Sequence, residues 1–142
     1  DQPDLIARKL SEIRGHFYAS RHYLDQRGYP QTPADMSDHD FIGMGDPPRM
    51  IELLAPMGIN LNEQNFPYGS ESGLVAWELA KQGFGILPMV DSLGDCTPDM
   101  VRVLPDANPF MIPVWLVTHR ELHSSRRIRL VFDTLAEFLS KS

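Results

Sequence analysis

Four short runs of the sequence contain residue types that catalyse reactions or bind metals in other proteins. Residues 119–123 read His-Arg-Glu-Leu-His, but in a zinc-protease helix the glutamate directly follows the first histidine. Residues 69–73 have the glycine spacing of a nucleophile elbow, with Glu71 where the serine should stand. The glycines of residues 83–85 lead into a predicted strand, whereas a dinucleotide-binding loop opens a helix. Cys96 has no identifiable base, so these patterns predict no catalytic residue, metal site or cofactor.

The start of a predicted helix over residues 72–82 is a better candidate for ligand binding. Ser70, Glu71, Ser72 and Gly73 stand at this point. A helix N-terminus carries free N–H groups and partial positive charge, and two serine hydroxyls add donors, so a carboxylate or other small anion fits there. The alternative is that one serine only caps the helix. Spacing alone leaves both interpretations open.

Short strands and helices must position these residues. The pattern predicts strands within residues 5–19 and over 41–45, 59–66, 84–88, 101–104 and 113–118. It predicts helices over 21–27, 49–55, 72–82 and 125–140, and a small helix that starts at Thr32. Ser20 and Thr32 are predicted N-caps, and Gly28 and Gly83 are predicted C-terminal stops. This alternation of strands and helices predicts an α/β sheet.

Two helices have apolar residues at helical spacing. On the helix over residues 72–82, Leu74, Val75 and Leu79 are predicted to share one face. On the last helix the core-facing stripe is predicted to contain Ile128, Val131, Phe132, Leu135 and Leu139.

Composition excludes several classes of protein. The 142 residues include 13 Lys and Arg against 19 Asp and Glu, a formal net charge of −6, which disfavours contact with nucleic acid by this piece of chain. The longest stretch without a strongly polar residue is residues 109–117, too short and too rich in proline for a membrane helix. A single cysteine excludes an internal disulfide and fits a reducing compartment. The first residues show no signal peptide and no initiator Met, so we expect a cytoplasmic piece of a longer protein.

Three stretches together resemble the C-terminal effector-binding domain of LysR-type transcriptional regulators. The first runs from residues 5–10 through 18–24 and Gly28 to 32–40, and is similar to the family's strand, "ASP-x-YL", glycine and "TP-x-DL-x-xH" succession, with Arg21 in place of the proline. The second, residues 70–88, resembles the helix and "G-x-GI-x-x-LP" strand of the ligand-facing subdomain. The third matches the family's "LV-x-VLP", "P-x-x-LV" and "S-x-R-x-R-x-F" runs, at residues 101–105, 113–117 and 125–132.

The resemblance implies a periplasmic-binding-protein type II-like (Rossmann-like) α/β fold with an inducer cleft between two subdomains. Residues 1–19 would be crossover strands and a remnant of subdomain I, and residues 20–115 a nearly complete subdomain II. Residues 116–142 would be the return strand and C-terminal helix of subdomain I. A winged helix-turn-helix and the opening part of subdomain I would precede this chain. Residues 46–66 depart from the family pattern, which leaves the strand order there open.

The function implied is effector sensing and oligomerisation, as a dimer or tetramer, without enzymatic activity or membrane contact. DNA would be bound only through the N-terminal domain that this chain lacks. A small anionic metabolite would contact the residues that follow, some on the helix opening and others on two nearby strands. They are Ser70, Glu71, Ser72, Gly73, Phe84, Ile86, Ile42, Gly43 and Met44. The alternatives are a solute-binding protein or an enzyme on the same fold, or a module that serves only assembly.

Overall fold

The computed structural model describes residues 4–141, which form short helices and strands in mixed order. The strands are β1 (Leu5–Ser20), β2 (Ile42–Met44), β3 (Tyr68–Ser70), β4 (Leu87–Val90), β5 (Met100–Val103) and β6 (Phe110–His119). The helices are α1 (Arg21–Arg27), α2 (Pro47–Leu54), α3 (Gly73–Lys81), α4 (Asp91–Gly94), α5 (Arg120–His123) and α6 (Arg126–Ser140). Short 3-10 turns occupy Pro33–Asp38, Ala55–Met57 and Glu63–Asn65. The chain divides into two compact units: unit 1 is Asp1–Arg14 with Phe110–Ser142, and unit 2 is Gly15–Pro109.

Unit 2 is built around the C-terminal part of β1. This strand pairs antiparallel with β4 on one side, where Tyr18 faces Leu87, and with β5 on the other, where Tyr18 faces Arg102. The parallel pair β2–β3 joins the segment before β4 through hydrogen bonds from Ile42 N to Ile86 O and from Ile86 N to the carbonyl that precedes Phe41. Unit 2 therefore contains the sheet order β4-β1-β5 and a two-stranded sheet of β2 and β3, with these hydrogen bonds between the second sheet and the segment before β4.

The core of unit 2 lies between α3 and the strands. Its fully or almost fully buried members are Tyr18, Ile42, Ala76, Trp77, Ala80 and Leu87. The rings of Tyr18 and Trp77 meet edge to face, with centroids 6.1 Å apart. Large aromatic rings bury much apolar surface, so this contact fixes α3 against the central strand.

Local capping signals define the first helices as the sequence predicts. Ser20 accepts a hydrogen bond from Tyr23 N at the start of α1, and Gly28 ends that helix with a φ of 95°. A glycine suits this position because residues with a side chain rarely adopt positive φ. Thr32 and Asp35 form the predicted capping box, although the turn that follows is a 3-10 helix. The helix predicted over residues 49–55 begins two residues earlier, because Pro47 and Pro48 fit a first turn whose N–H groups need no intrahelical partner.

The strand predicted over residues 59–66 is wrong. Ile59 and Leu61 are buried, as their alternation suggests, but no strand pairs with them. Instead Asn62 accepts a hydrogen bond from Gln64 N, and the Asn65 side chain accepts one from Asn62 N. Asparagine side chains that bond to nearby backbone favour turns over strands. The strand in this region, β3, begins only after this turn.

The buried face of α3 is not the one that contains Leu74 and Val75. Leu74 is 84% exposed and Val75 is 50% exposed, whereas Ala76 and Trp77 are buried. The Trp77 ring packs edge to face on the buried Tyr18, and burial of this large ring favours the observed face over one that buries Leu74 and Val75.

Unit 1 contains α5, α6 and the strand β6, which pairs with β1. On α6, Phe132 and Ala136 are buried, and the His123 ring packs edge to face on Phe132 at 5.2 Å. The predicted stripe is only half correct, because Val131 and Leu135 are 55% and 41% exposed. Among the described residues, no helix is both long and apolar enough to cross a membrane.

Candidate functional site

The junction between β3 and α3 places both predicted serines at a helix start. Ser70 Oγ accepts a hydrogen bond from Ser72 N at 3.1 Å, and Ser72 Oγ accepts one from Val75 N at 3.4 Å. Ser72 is therefore the N-cap of α3, and the Ser70 side chain fixes the backbone of Ser72. Because both oxygens act as acceptors here, both hydroxyl protons remain available to a ligand.

Two backbone amides at this junction are also available. The hydrogen bonds of the described residues include no acceptor for the N–H of Gly73 or Leu74, the first two residues of α3. Orphan amides and the positive end of the helix dipole both favour an anion. Glu71 is exposed and has no ion-pair partner among residues 4–141, so water solvates its carboxylate.

Strand pairing brings Met44 to the same junction. In the β2–β3 register Met44 lies opposite Ser70, and Gly43 lies opposite Gly69. Met44 is 39% exposed, and its Cε lies 3.9 Å from where a Cβ on Gly73 would stand. The structure therefore brings together Met44, Ser70, Ser72 and Gly73, as the sequence predicts, with one apolar side chain beside four donors.

An exposed aromatic pair borders this region. The rings of Tyr68 and Phe84 meet edge to face at 5.0 Å, and the side chains are 45% and 40% exposed. Phe84 was expected from the sequence, but Tyr68 was missed. A prediction of β3 would have found it, because Tyr68 stands two residues before Ser70 and therefore on the same face of that strand.

The other predicted residues are Ile42, Gly43 and Ile86, and all three are buried. Ile42 and Ile86 are completely buried, and their backbones bond to each other through Ile42 N and Ile86 O at 2.9 Å. Gly43 is buried too, and a Cβ on its partner Gly69 would lie 3.1 Å from Gly43 O. The side chains of Ile42 and Ile86 thus belong to the core that holds β2 in place.

A cluster of polar side chains lies around β1, α4 and β5, outside the two-stranded β2–β3 sheet. His16 Nδ1 lies 2.7 Å from Asp91 Oδ1, and the Tyr18 hydroxyl donates to Asp91 at 3.1 Å and to Asp95 at 2.8 Å. Arg102 Nε donates to Asp95 at 2.8 Å. Burial and the Asp95 hydrogen bond raise the pKa of Tyr18, while the Arg102 hydrogen bond lowers the pKa of Asp95. Because these polar groups supply each other's hydrogen-bond partners, the cluster links β1, α4 and β5.

A second buried network joins α1 to the loop before β2. The Tyr23 hydroxyl accepts from Asp40 N at 3.0 Å and is hydrogen-bonded to His39 Nδ1, also at 3.0 Å. Burial lowers the pKa of His39. Asn65 donates to the carbonyls of Ser37 and His39, and therefore ties the same loop to the turn that precedes β3.

The histidine pair of residues 119–123 forms no metal centre. Within residues 4–141 no group of three or more His, Cys, Asp and Glu side chains could hold a metal ion. His119 precedes α5 and His123 ends it, where His123 packs on Phe132. Cys96 is exposed.

Solved structures define the class of fold. The regulatory domain of CrgA from Neisseria meningitidis, a LysR-type transcriptional regulator, superposes with a TM-score of 0.76 at 24% identity, over 98% of this chain and 71% of that one. Full-length AphB, a virulence activator from Vibrio cholerae, superposes with a TM-score of 0.70 at 19% identity, over 98% of this chain and 49% of that one. The chain has the periplasmic-binding-protein type II-like α/β fold of such regulatory domains.

The sequence comparison gives the family. The chain belongs to the LysR substrate binding domain family, whose family model matches residues 1–140. It is 24% identical over 139 residues to the HTH-type transcriptional activator AaeR of Escherichia coli K12, covering 94% of this chain and 45% of that protein. It is 28% identical over 143 residues to a probable HTH-type transcriptional regulator, LtrA, of Klebsiella pneumoniae, covering 95% of this chain and 46% of that protein. The chain thus spans less than half the length of these relatives.

Proposed function

We propose that this chain is the effector-sensing and oligomerisation part of a bacterial transcriptional regulator. The family match over residues 1–140 carries this proposal, and the regulator relatives support it. In such a protein, DNA is bound by a winged helix-turn-helix outside this chain. The net charge of −6 agrees with a sensor that does not itself contact phosphates. A solute-binding protein or an enzyme on this fold is disfavoured because the relatives are regulators. For such a regulator we propose a cytoplasmic location and no cofactor.

The effector is proposed to bind at the β3–α3 junction. An anionic group would accept hydrogen bonds from the Ser70 and Ser72 hydroxyls and from the free amides at the start of α3. The exposed Met44, Tyr68 and Phe84 side chains supply an apolar surface for the rest of the molecule. These features favour a small carboxylate with an apolar body, because an apolar body would cover the exposed surfaces of Tyr68 and Phe84 and a polar body would not.

The two units are proposed to correspond to unequal parts of the family's two subdomains. Residues 20–115 would form subdomain II, and residues 1–19 and 116–142 the crossover strands and remnant of subdomain I. Burial within residues 4–141 supports this assignment: of the buried apolar residues there, only Phe132 and Ala136 belong to unit 1. Among the residues described, unit 1 nevertheless has ten of the eighteen exposed large hydrophobic side chains. An apolar surface of this kind needs further polypeptide against it, which a complete subdomain I would supply.

Thermal unfolding of this chain in the presence of carboxylates tests the proposed site. Acetate, butyrate and benzoate share the anionic group and differ in apolar size, so the stabilisation should increase along that series. The Ser70→Ala/Ser72→Ala double variant should lose most of the shift, measured from its own midpoint because the lost cap lowers stability by itself. Ser92→Ala, which removes an exposed serine from α4, is the matched control and should keep the full shift. Equal shifts in the double variant and the control would refute this site.

The regulatory role is tested separately in a longer protein. The chain is joined to the preceding segment of its own gene, and operator binding is measured with and without a carboxylate that stabilises the domain. A change in affinity or in DNA contacts supports effector sensing, since a ligand shifts an equilibrium only through differential binding. Unchanged DNA binding with a saturating ligand would favour a module that serves only assembly.

A further inference from the structure

A groove in unit 2 runs along β5, on residues that the proposed effector site does not use. Its volume is about 490 Å³, within the range of binding pockets in general. One wall consists of residues 101–107, and the other contains Leu24, Tyr29, Pro30 and Pro33. Leu24 and the β5 residue Val103 are buried, so the floor is apolar.

The backbone of β5 is unpaired on the side away from β1. The sheet order is β4-β1-β5, which makes β5 an edge strand. Arg21 N donates to Asp99 O at 2.8 Å, in the same register that aligns Tyr18 with Arg102. Because bonded and non-bonded pairs alternate in an antiparallel ladder, Tyr18 and Arg102 are a non-bonded pair. The N–H and C=O of Arg102 therefore point away from β1, towards the open edge.

The neighbouring residues agree with this assignment and leave the edge open. Met100, two residues earlier on the same side, donates its N–H to Thr97 O, away from β1. Among the described residues, no backbone group pairs with the N–H or C=O of Arg102. Pro30 and Pro33 in the facing wall have no N–H to offer. An unpaired edge of this kind is a template for another extended chain.

The charges near the groove determine which peptide segments could bind there. The Arg102 guanidinium is neutralised by Asp95, and its nearest distance to Asp91 is 3.3 Å, so no free cation faces the groove. Asp106 lines the groove, and unit 2 contains five Lys and Arg against thirteen Asp and Glu, a net charge of −8. An acidic segment is therefore repelled, whereas a neutral or basic one is attracted.

We propose that this groove binds an extended segment of a partner protein, in which apolar side chains alternate with neutral or basic ones. The segment adds to β5 as a further strand. Its backbone exchanges two hydrogen bonds with Arg102, and its apolar side chains fill the space between Leu24 and the proline wall. Strand addition obtains affinity from main-chain bonds and specificity from alternate side-chain pockets.

The test measures binding of a labelled acetyl-Lys-Val-Lys-Val-Lys-amide peptide to the 142-residue chain by fluorescence anisotropy. We expect saturable binding, and about tenfold weaker binding of the Glu-Val-Glu-Val-Glu peptide. Two further analogues carry backbone N-methyl groups, one on both valines and one on the central lysine. Because alternate amides face the same way in a strand, one analogue should bind about tenfold more weakly and the other should match the parent. Equal binding by both analogues, or no binding at about 1 mM peptide, would overturn the proposal.

Further measurements identify where the peptide binds and what the natural occupant is. Ala107→Trp should fill the groove and abolish binding, whereas Ala34→Trp, at an exposed position outside the groove, should not. Exchange of the Arg102 amide with solvent should slow when the peptide binds, and unchanged exchange would contradict strand pairing. Self-association of the free chain that Ala107→Trp removes would instead make a second copy the occupant and refute a separate partner. Binding unaffected by Ser70→Ala/Ser72→Ala would separate this groove from the proposed effector site.

Discussion

Replacing Gly94 by alanine tests how tightly the end of α4 packs against the central strand. A Cβ on Gly94 would lie well inside contact distance of three ring atoms of Tyr18: Cζ, Cε1 and Cε2. The Tyr18 ring is completely buried, so it has no open space to move into. Its hydroxyl is also fixed, because it donates to Asp91 and Asp95 on either side of the substituted residue.

The expected loss of stability follows from these contacts. Overpacking a buried site costs about 1–3 kcal/mol, and a displaced ring would weaken the hydrogen bond by which the one hydroxyl proton serves the carboxylates of Asp91 and Asp95, worth about 1.5–3 kcal/mol in total. Alanine regains about 1 kcal/mol over glycine through its helix propensity. Because the ring need not lose this hydrogen bond completely, we expect the free energy of unfolding to fall by about 2 kcal/mol.

Urea unfolding followed by far-UV circular dichroism measures this change. Gly73→Ala is the matched control, because a Cβ there meets only Met44 Cε at an ordinary 3.9 Å, and its free energy of unfolding should not fall below that of the wild type. The double variant Gly94→Ala/Tyr18→Leu should be less destabilised than the sum of its single variants, since the clash disappears with the ring. A Gly94→Ala protein as stable as the wild type, or strict additivity in the double variant, would refute the packing argument.

Three further substitutions and conditions test other contacts. Tyr23→Phe should lower the free energy of unfolding by about 1–3 kcal/mol in the same urea assay, because it leaves the buried Asp40 N and His39 Nδ1 without their shared partner. Folding lowers the pKa of His39 below 6.5, so this residue's contribution is complete above that pH and is lost as the pH falls towards the folded-state pKa. His39→Gln should reduce the slope of the free energy of unfolding against pH between about pH 7 and about pH 5. An unchanged slope would contradict a role for His39 in this pH dependence. Ser20→Ala should lower the free energy of unfolding by about 1 kcal/mol in the same urea assay, because α1 loses its N-cap.

The predictable parts of the fold are those that neighbouring residues determine. Ser20 with Gly28, and Thr32 with Asp35, place helix ends through bonds that span only a few residues. The family pattern supplied the fold class, and the structural comparison confirmed it. Residues 59–66 could not be placed in the same way, because Ile59 and Leu61 are buried in a loop as well as they would be in a strand.

The candidate site shows the same division between local and distant effects. The roles of Ser70 and Ser72 at the helix start follow from capping chemistry, which the sequence contains. The pairing of Tyr68 with Phe84 depends on the parallel contact of β2 with β3, between segments far apart in the chain. The face of α3 depends on how Trp77 fits against Tyr18, and no periodicity records the shape of that partner.

The arrangement of donors at the β3–α3 junction has a consequence for selectivity among related metabolites. Ser70 and Ser72 already accept backbone N–H groups, so a ligand meets their protons together with the amide protons of Gly73 and Leu74. At the proposed site, a carboxylic acid should therefore bind more tightly than its amide, because the NH₂ group of the amide cannot accept from the backbone N–H groups of Gly73 and Leu74. Such a mismatch discriminates far more strongly than a missing methylene does in an apolar pocket. A regulator with this junction would respond to the formation or consumption of the acid, even when its amide is abundant in the same cell.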